Sequence, residues 1–189
     1  YDIKKILKKN IDTKKKYNHL LRVAVNKNTL SISLRKKIRP SLNLNLKLVN
    51  LKRQKPEFKN LKYKEILKHL SKLDNSKSDI GLCVNKKIFE SGTSNILFIK
   101  KNKVFSPVNK FYKGITYKFF KSKIKKIINK DILINSLKEF DEIILIGSGK
   151  GVASVNRIEQ IMWKRKSLKF YKKLSRYYLS ATNNSLEYK

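Results

Sequence analysis

The sequence predicts an α/β (α+β) protein, and three observations carry that prediction. Residues 42–51 alternate, with Leu42, Leu44, Leu46 and Leu48 set against Asn43, Asn45, Lys47 and Val49, as a strand with one buried face requires. Asp141-Glu142-Ile143-Ile144-Leu145-Ile146-Gly147 is a buried strand running into a Gly/Ser loop. Between them, residues 57–73 and 117–129 space their apolar positions as helices do. A chain of 189 residues is long enough to bury a core of its own. No stretch approaches the ~18 uninterrupted apolar residues of a membrane span, and no charged-then-apolar signal segment opens the chain. Cys83 is the only cysteine, which excludes an internal disulfide framework and a cysteine-built metal site. No metal is expected, and a cytoplasmic location is the default. The chain opens on Tyr1 and its one methionine is Met162, so it reads as a fragment that has lost its N-terminus.

Taken in order, residues 1–16 carry Ile3, Ile6, Leu7 and Ile11 at helical spacing. His19 to Val25 and Leu30 to Leu34 form a hairpin about Asn26-Lys27-Asn28. Lys36 to Pro40 is basic and ends in proline, a candidate domain boundary. After the strand at 42–51, a loop over Lys52 to Pro56 leads into a helix over Glu57 to Leu73, with Leu61, Ile66, Leu67, Leu70 and Leu73 on its stripe. Asp79 to Val84 is a strand that turns at Asn85-Lys86-Lys87 into Ile88-Phe89-Glu90. Asn95 to Lys100 and Val104-Phe105 make a further hairpin. Tyr117 to Asn129 is a helix, Ile132 to Ile134 a short strand, and Ser136 the N-cap of another helical turn. Val152 to Val155 is extended. Ile158 to Leu179 is a terminal amphipathic helix bearing Trp163, Leu168, Tyr171 and Leu174, and the last ten residues fray.

A net charge of +34 points first to nucleic acid. The detail of that charge argues otherwise. Its 47 basic residues include only seven arginines, the side chain that does most bidentate readout of bases and phosphates. The lysines are spread evenly, without a dense basic arm, as expected of a composition that writes lysine wherever a surface permits it. A lysine-rich nucleic-acid-binding protein stays as the reading from another class. Its sign would be steeply salt-sensitive binding.

Chemistry concentrates in four segments. Five of the six glycines fall in three loops, at Gly92, at Gly114 and at Gly147, Gly149 and Gly151. Glu90-Ser91-Gly92-Thr93-Ser94-Asn95 joins two apolar runs and offers one carboxylate with several hydroxyl and amide groups. Gly114-Ile115-Thr116 leads into a helix and presents backbone N–H groups at its positive end. Gly147-Ser148-Gly149 follows a buried strand and offers the same chemistry. Lys59 stands at the expected start of a helix, with Tyr63 one turn on, where a helix N-terminus and partial burial favour a free amine. Chemistry alone gives Lys59 no privilege among so many lysines, and favours reading Glu90 as a solvent-facing hairpin acid. His69 reads as a surface histidine and Cys83 as a small buried hydrophobe.

Together the four segments resemble the class IV aminotransferase family, which includes D-amino-acid and branched-chain transaminases and aminodeoxychorismate lyases. Pro56-Glu57-Phe58-Lys59-Asn60-Leu61-Lys62-Tyr63 is similar to its catalytic-lysine segment, Glu90 to Phe98 to its acid segment, Ser106-Pro107 with Gly114-Ile115-Thr116 to the next, and Asp141 to Val155 to the last. The resemblance implies a pyridoxal 5'-phosphate enzyme in which Lys59 forms the internal aldimine and shuttles the substrate α-proton. It implies that Glu90 pairs with the pyridine nitrogen, with Asn95 in the same segment. Tyr63 would bond near the ring hydroxyl, and Ile115, Thr116, Gly147 and Ser148 would hold the phosphate. It implies the D-amino-acid-aminotransferase-like fold: residues 1–41 as the end of the small N-terminal domain, 42–179 as the large cofactor-binding domain, and 180–189 as a frayed tail. Small-molecule amino acid and 2-oxo acid substrates and a homodimer follow from the same resemblance, with no membrane partner.

The expected reaction is transamination between an amino acid, branched-chain or related, and a 2-oxo acid. The alternative within the family is aminodeoxychorismate lyase. Tyr117 stands where an arginine commonly follows the Gly-Ile-Thr segment, Lys150-Gly151 departs from the usual residues after the second phosphate loop, and Ser154 stands where proline is common. The family's phosphate-binding arginine belongs to the absent N-terminal domain, so the fragment is not expected to be fully active alone.

Overall fold

The computed structural model describes residues 2–12, 14, 15, 17 and 19–184. They form two units, residues 1–38 and 39–189. In the first, α1 spans Ile3–Asn10, shorter than the stripe over 1–16 suggests. Asp2 caps it by accepting the Lys5 N–H at 3.0 Å, and Ile11 leaves it in extended conformation. Strands β1 (His19–Val25) and β2 (Leu30–Lys36) form the expected hairpin, in antiparallel register from His19 opposite Lys36 to Val25 opposite Leu30. Asn26 closes its turn, its side chain accepting the N–H groups of Asn28 at 2.9 Å and Thr29 at 2.7 Å.

The larger unit is built on one sheet. Its strands are β3 (Leu44–Asn50), β4 (Ser78–Val84), β5 (Lys87–Ser91), β6 (Asn95–Lys100), β7 (Lys103–Ser106), β8 (Ile127–Asn129), β9 (Ile132–Leu133), β10 (Glu142–Gly147), β11 (Gly151–Ile158) and β12 (Trp163–Lys164). They lie in the order β8-β7-β6-β10-β11-β3-β4-β5-β9, with β12 paired to β11. The expected hairpins β4–β5 and β6–β7 both form, each turning on two residues of positive φ, Asn85-Lys86 and Lys101-Asn102. Strands β5 and β6 stand far apart in that order, yet only Gly92, Thr93 and Ser94 join them. The sheet therefore curls until its two arms meet at this turn.

Alternation sorts the side chains into two layers. Ile96 and Phe98 of β6, Ile143 and Leu145 of β10, and Ala153 and Val155 of β11 join Leu44 and Leu46 in one cluster. The intervening Leu97, Ile99, Ile144, Ile146 and Val152 form a second, covered by helix α3 (Ile115–Lys123) through Tyr117 and Phe120 and by helix α4 (Lys169–Asn183) through Leu174. A third, smaller cluster puts Ile66 and Leu70 of helix α2 (Lys64–Leu70) on Ile80 and Leu82 of β4.

Three helices of the larger unit differ from expectation. The helix expected from Glu57 begins only at Lys64, because residues 54–62 close on themselves around the Asn60 side chain, which donates to the carbonyls of Gln54, Lys55 and Phe58. The helix expected over Tyr117–Asn129 spans Ile115–Lys123, since Ile127–Asn129 instead pairs in parallel with Val104–Ser106. The helix expected from Ile158 begins at Lys169. Before it, Gln160 pairs through its side-chain amide with both backbone groups of Leu48, at 2.8 and 2.7 Å, and Trp163 donates to the Phe140 carbonyl at 3.1 Å. Glu142, 1 % exposed, then accepts the Phe170 and Tyr171 N–H groups and the Ser167 hydroxyl, capping α4 from the sheet. Helix α4 runs four residues past the expected Leu179 to Asn183, and residues 185–189 of the expected frayed tail lie outside the described residues. The expected helical turn at Ser136 is a short 3-10 turn over Asn135–Glu139.

Candidate functional site

The acid segment is a hub. Its turn is closed by the Ser91 N–H donating to the Ser94 carbonyl at 2.8 Å, and by the Ser91 hydroxyl accepting the Ser94 N–H at 2.8 Å. Asn95 reaches one way, donating to the Tyr112 carbonyl at 2.6 Å and accepting the Gly114 N–H at 3.1 Å, which pins the residues that open α3. Ser94 reaches the other way: a Cβ on Gly147 would lie 3.0 Å from its hydroxyl oxygen, so only glycine lets the Gly/Ser loop pack there without a shift. Strand pairing sets this neighbour relation, with Ile146 opposite Asn95. Three of the four sequence segments thus meet, at Glu90–Asn95, Gly114–Thr116 and Gly147–Ser148.

Glu90 is not a solvent-facing acid. It is 3 % exposed, and Arg53 Nε donates to its Oε1 at 2.9 Å while the Arg53 Nη2 donates to the Gly92 carbonyl at 3.3 Å. Burial pushes the Glu90 carboxyl above the ordinary glutamate range, and the Arg53 guanidinium and the Tyr112 N–H pull it back part of the way. The folded chain therefore keeps a proton on Glu90 above pH 4.5 that the unfolded chain has released. Stability should fall as pH rises from there through the raised value, and Glu90→Gln should flatten that part of the profile, as urea titrations between about pH 4 and pH 7 would register. A slope unchanged by the substitution would place its origin in another group.

Thr116 is buried, whereas Ile115 is 78 % exposed and Ser148 is also exposed. No side chain caps α3, whose first N–H groups follow Gly114. Gly151, which ends the Gly/Ser loop, has φ of +69° and packs under the Tyr178 ring of α4. Tyr63 is half-buried at the N-terminal end of α2, packed against the cluster of Ile66, Leu70, Ile80 and Leu82. Lys59 corrects the expectation most sharply. It does not begin a helix; it is exposed in the loop between β3 and α2.

Sequence reasoning missed three members of this neighbourhood. Arg53 falls in a stretch that reads only as loop, although a scarce arginine six residues before Lys59 is a usable signal. Asp79 and Lys150 form a buried ion pair at 2.9 Å, their side chains 0 % and 3 % exposed. The same Asp79 oxygen accepts the Thr93 hydroxyl at 2.6 Å and the Ser91 hydroxyl at 3.4 Å. The pair ties the acid turn to the end of the Gly/Ser loop, and it gives the unusual lysine at position 150 a purpose.

Comparison with known proteins adds to this geometry. A search of the curated proteins finds no match. Among solved structures, a proposed 4-amino-4-deoxychorismate lyase from Legionella pneumophila is similar at TM-score 0.68 and 16 % identity, over 82 % of this chain and 61 % of that one. A branched-chain aminotransferase from the archaeon Thermoproteus uzoniensis, solved with norvaline, is similar at TM-score 0.67 and 14 % identity, over 84 % and 59 %. An aminotransferase from Brucella abortus bound to the cofactor PLP gives 0.64 and 16 %, over 82 % and 59 %. The part of each neighbour that is matched is thus about three fifths of its length, and at such identities the likeness is one of fold. The family model for amino-transferase class IV matches residues 1–158. With that share of the sequence matched, the chain belongs to the class IV aminotransferases, a family of pyridoxal-phosphate-dependent enzymes.

Proposed function

We propose that this chain is the cofactor-binding part of an enzyme that moves an amino group between a small amino acid, branched-chain or related, and a 2-oxo acid. The observation that carries the reading is the convergence of Glu90, Gly114 and Gly147 on one short turn.

The residues present fit the cofactor at two of its ends. A buried carboxylate that already holds a cationic N–H donor is suited to a protonated ring nitrogen. The uncapped start of α3 and the Gly147 loop, both packed on the acid turn, are suited to a phosphate. When bound, the cofactor supplies an electron-withdrawing ring that stabilises negative charge at the substrate α-carbon. Glu90 would keep the proton on the ring nitrogen. The N–H groups of Ile115, Thr116, Gly147 and Ser148, with the Thr116 and Ser148 hydroxyls, would hold the phosphate. Lys59 Nζ would tether the cofactor and carry a proton to and from the substrate α-carbon. Tyr63 would bond near the ring hydroxyl. The protein would work in the cytoplasm as a homodimer, which sedimentation of the chain would test; among the described residues no helix is long and apolar enough to cross a membrane.

The test is to add pyridoxal phosphate, reduce with borohydride and map the modified lysine by peptide mass spectrometry. Label should fall on Lys59, disappear in Lys59→Ala and weaken in Glu90→Ala. Label scattered over many lysines of a demonstrably folded chain would overturn the reading. A 2-oxo acid formed from a branched-chain amino acid would support transamination, whereas release of pyruvate from aminodeoxychorismate would move the assignment to the lyase branch.

A further inference from the structure

We infer that Arg53 is an internal stand-in for the cofactor, holding on Glu90 the position that a protonated ring nitrogen takes on loading, so that binding exchanges one cation for another on a single carboxylate. The inference rests on the reading of Glu90 as the acid that faces the ring.

Three observations carry it. The Glu90 carboxylate sits where water screens it little, with side chains of Arg53 and Glu90 15 % and 5 % exposed, so whenever it is ionised it needs a cationic partner. One carboxylate balances one cation: Arg53 left in place beside a protonated ring nitrogen would set two positive charges together in a buried site. Arg53 is also placed to leave. It lies in the same loop between β3 and α2 as Lys59, and residues 54–62 of that loop are closed on themselves by Asn60, whose side chain donates to the carbonyls of Gln54, Lys55 and Phe58 and accepts the Lys62 N–H at 2.8 Å. Its two bonds, to Glu90 and to the Gly92 carbonyl, tie this self-contained loop to the acid turn. Breaking them removes that hold on the loop, leaving the buried Pro56 as its remaining anchor three positions before Lys59. The exposed place of Lys59 is then the unloaded position of a loop that Arg53 latches, and the same exchange that seats the ring releases the lysine toward it.

The test uses pyridoxamine 5'-phosphate, whose amine cannot condense with a lysine, so that only seating of the ring and phosphate is measured. Its dissociation constant is followed by quenching of Trp163 fluorescence in the chain and in Arg53→Met, Arg53→Gln, Glu90→Gln and Arg53→Met/Glu90→Gln. Exchange predicts that Arg53→Met binds about tenfold tighter than the unaltered chain, that Arg53→Gln shifts the same way, and that the gain vanishes when Glu90 is also glutamine. Arg53→Gln keeps a donor and stands in if the methionine variant does not fold. Trypsin cleavage after Lys59 should also quicken in both Arg53 variants without ligand. Weaker or unchanged binding in a folded Arg53 variant would overturn the exchange and leave the cofactor reading standing. Absence of binding by the unaltered chain and every variant, with no label on Lys59, would overturn both.

Discussion

Replacing Lys150 by methionine is expected to cost the larger unit about 3–5 kcal/mol, the usual result of stripping one partner from a buried ion pair. Asp79 is fully buried in β4, and without the ammonium group its carboxylate retains only neutral donors, the Ile80 N–H at 2.7 Å and the Thr93 and Ser91 hydroxyls. Neutral donors alone do not offset the desolvation of a buried charge. Asp79→Ala combined with Lys150→Met should recover most of the loss, because then neither charge is buried. Urea denaturation of the two single variants and the double variant measures this directly, and a loss below about 1 kcal/mol in Lys150→Met would mean that water reaches Asp79. The site should feel the change as well. Thr93 and Ser91 are held by Asp79, so the single variants should loosen the turn beside Glu90 and weaken phosphate-bearing ligands even where the fold survives.

Phe140→Ala should be comparably damaging, at about 3–5 kcal/mol, as for large aromatic deletions in cores. Phe140 is fully buried. Its ring lies 5.3 Å from that of Phe98 and 5.7 Å from that of Phe105, and its carbonyl receives the Trp163 N–H. The residue therefore joins β6, β7 and the approach to β12 just before β10 departs for the Gly/Ser loop. Phe140→Leu leaves a smaller void and should cost less than half as much. Thermal unfolding of the two variants distinguishes packing from a backbone effect: equal losses in Leu and Ala would point to the backbone at this bend.

How far the sequence spoke depended on whether local residues decided the outcome. Strand β10 was legible because four consecutive apolar residues leave little alternative. The hairpins at Asn85-Lys86 and Lys101-Asn102 were legible because their turns and flanking runs agree. The cluster of glycine-bearing loops around the acid segment was also legible, since glycine is rare in this chain and its placement carries information. What failed was decided from a distance. Nothing local reveals that Glu142 will cap a helix 28 residues later, or that Gln160 will fill a backbone gap beside β3. The stripe through Ile124, Ile127 and Ile128 suits a helix and a strand alike, and pairing with β7 chose the strand. The apolar stripe of residues 57–73 puts a helix start near Lys59, whereas the short-range bonds of Asn60 and the long-range hold of Arg53 on Glu90 keep that stretch a loop. The ion pair of Asp79 and Lys150 spans 71 positions and has no signature in either neighbourhood alone.

The turn where the sheet closes on itself also bears on how the chain acquires its site. The ion pairs that tie the hub to the rest of the fold cross long stretches of polypeptide: 37 positions separate Arg53 from Glu90 and 71 separate Lys150 from Asp79. Contacts of that kind form late and slowly, because the loop entropy must be overcome before any of them contributes. During synthesis, β1 and β2 can pair as soon as they emerge, whereas Glu90 must wait for residues 142–164 before its surroundings exist. A polypeptide interrupted between Glu90 and β11 would hold all of Lys59, Tyr63 and Glu90 and still lack the lysine that pairs with Asp79 under the acid turn.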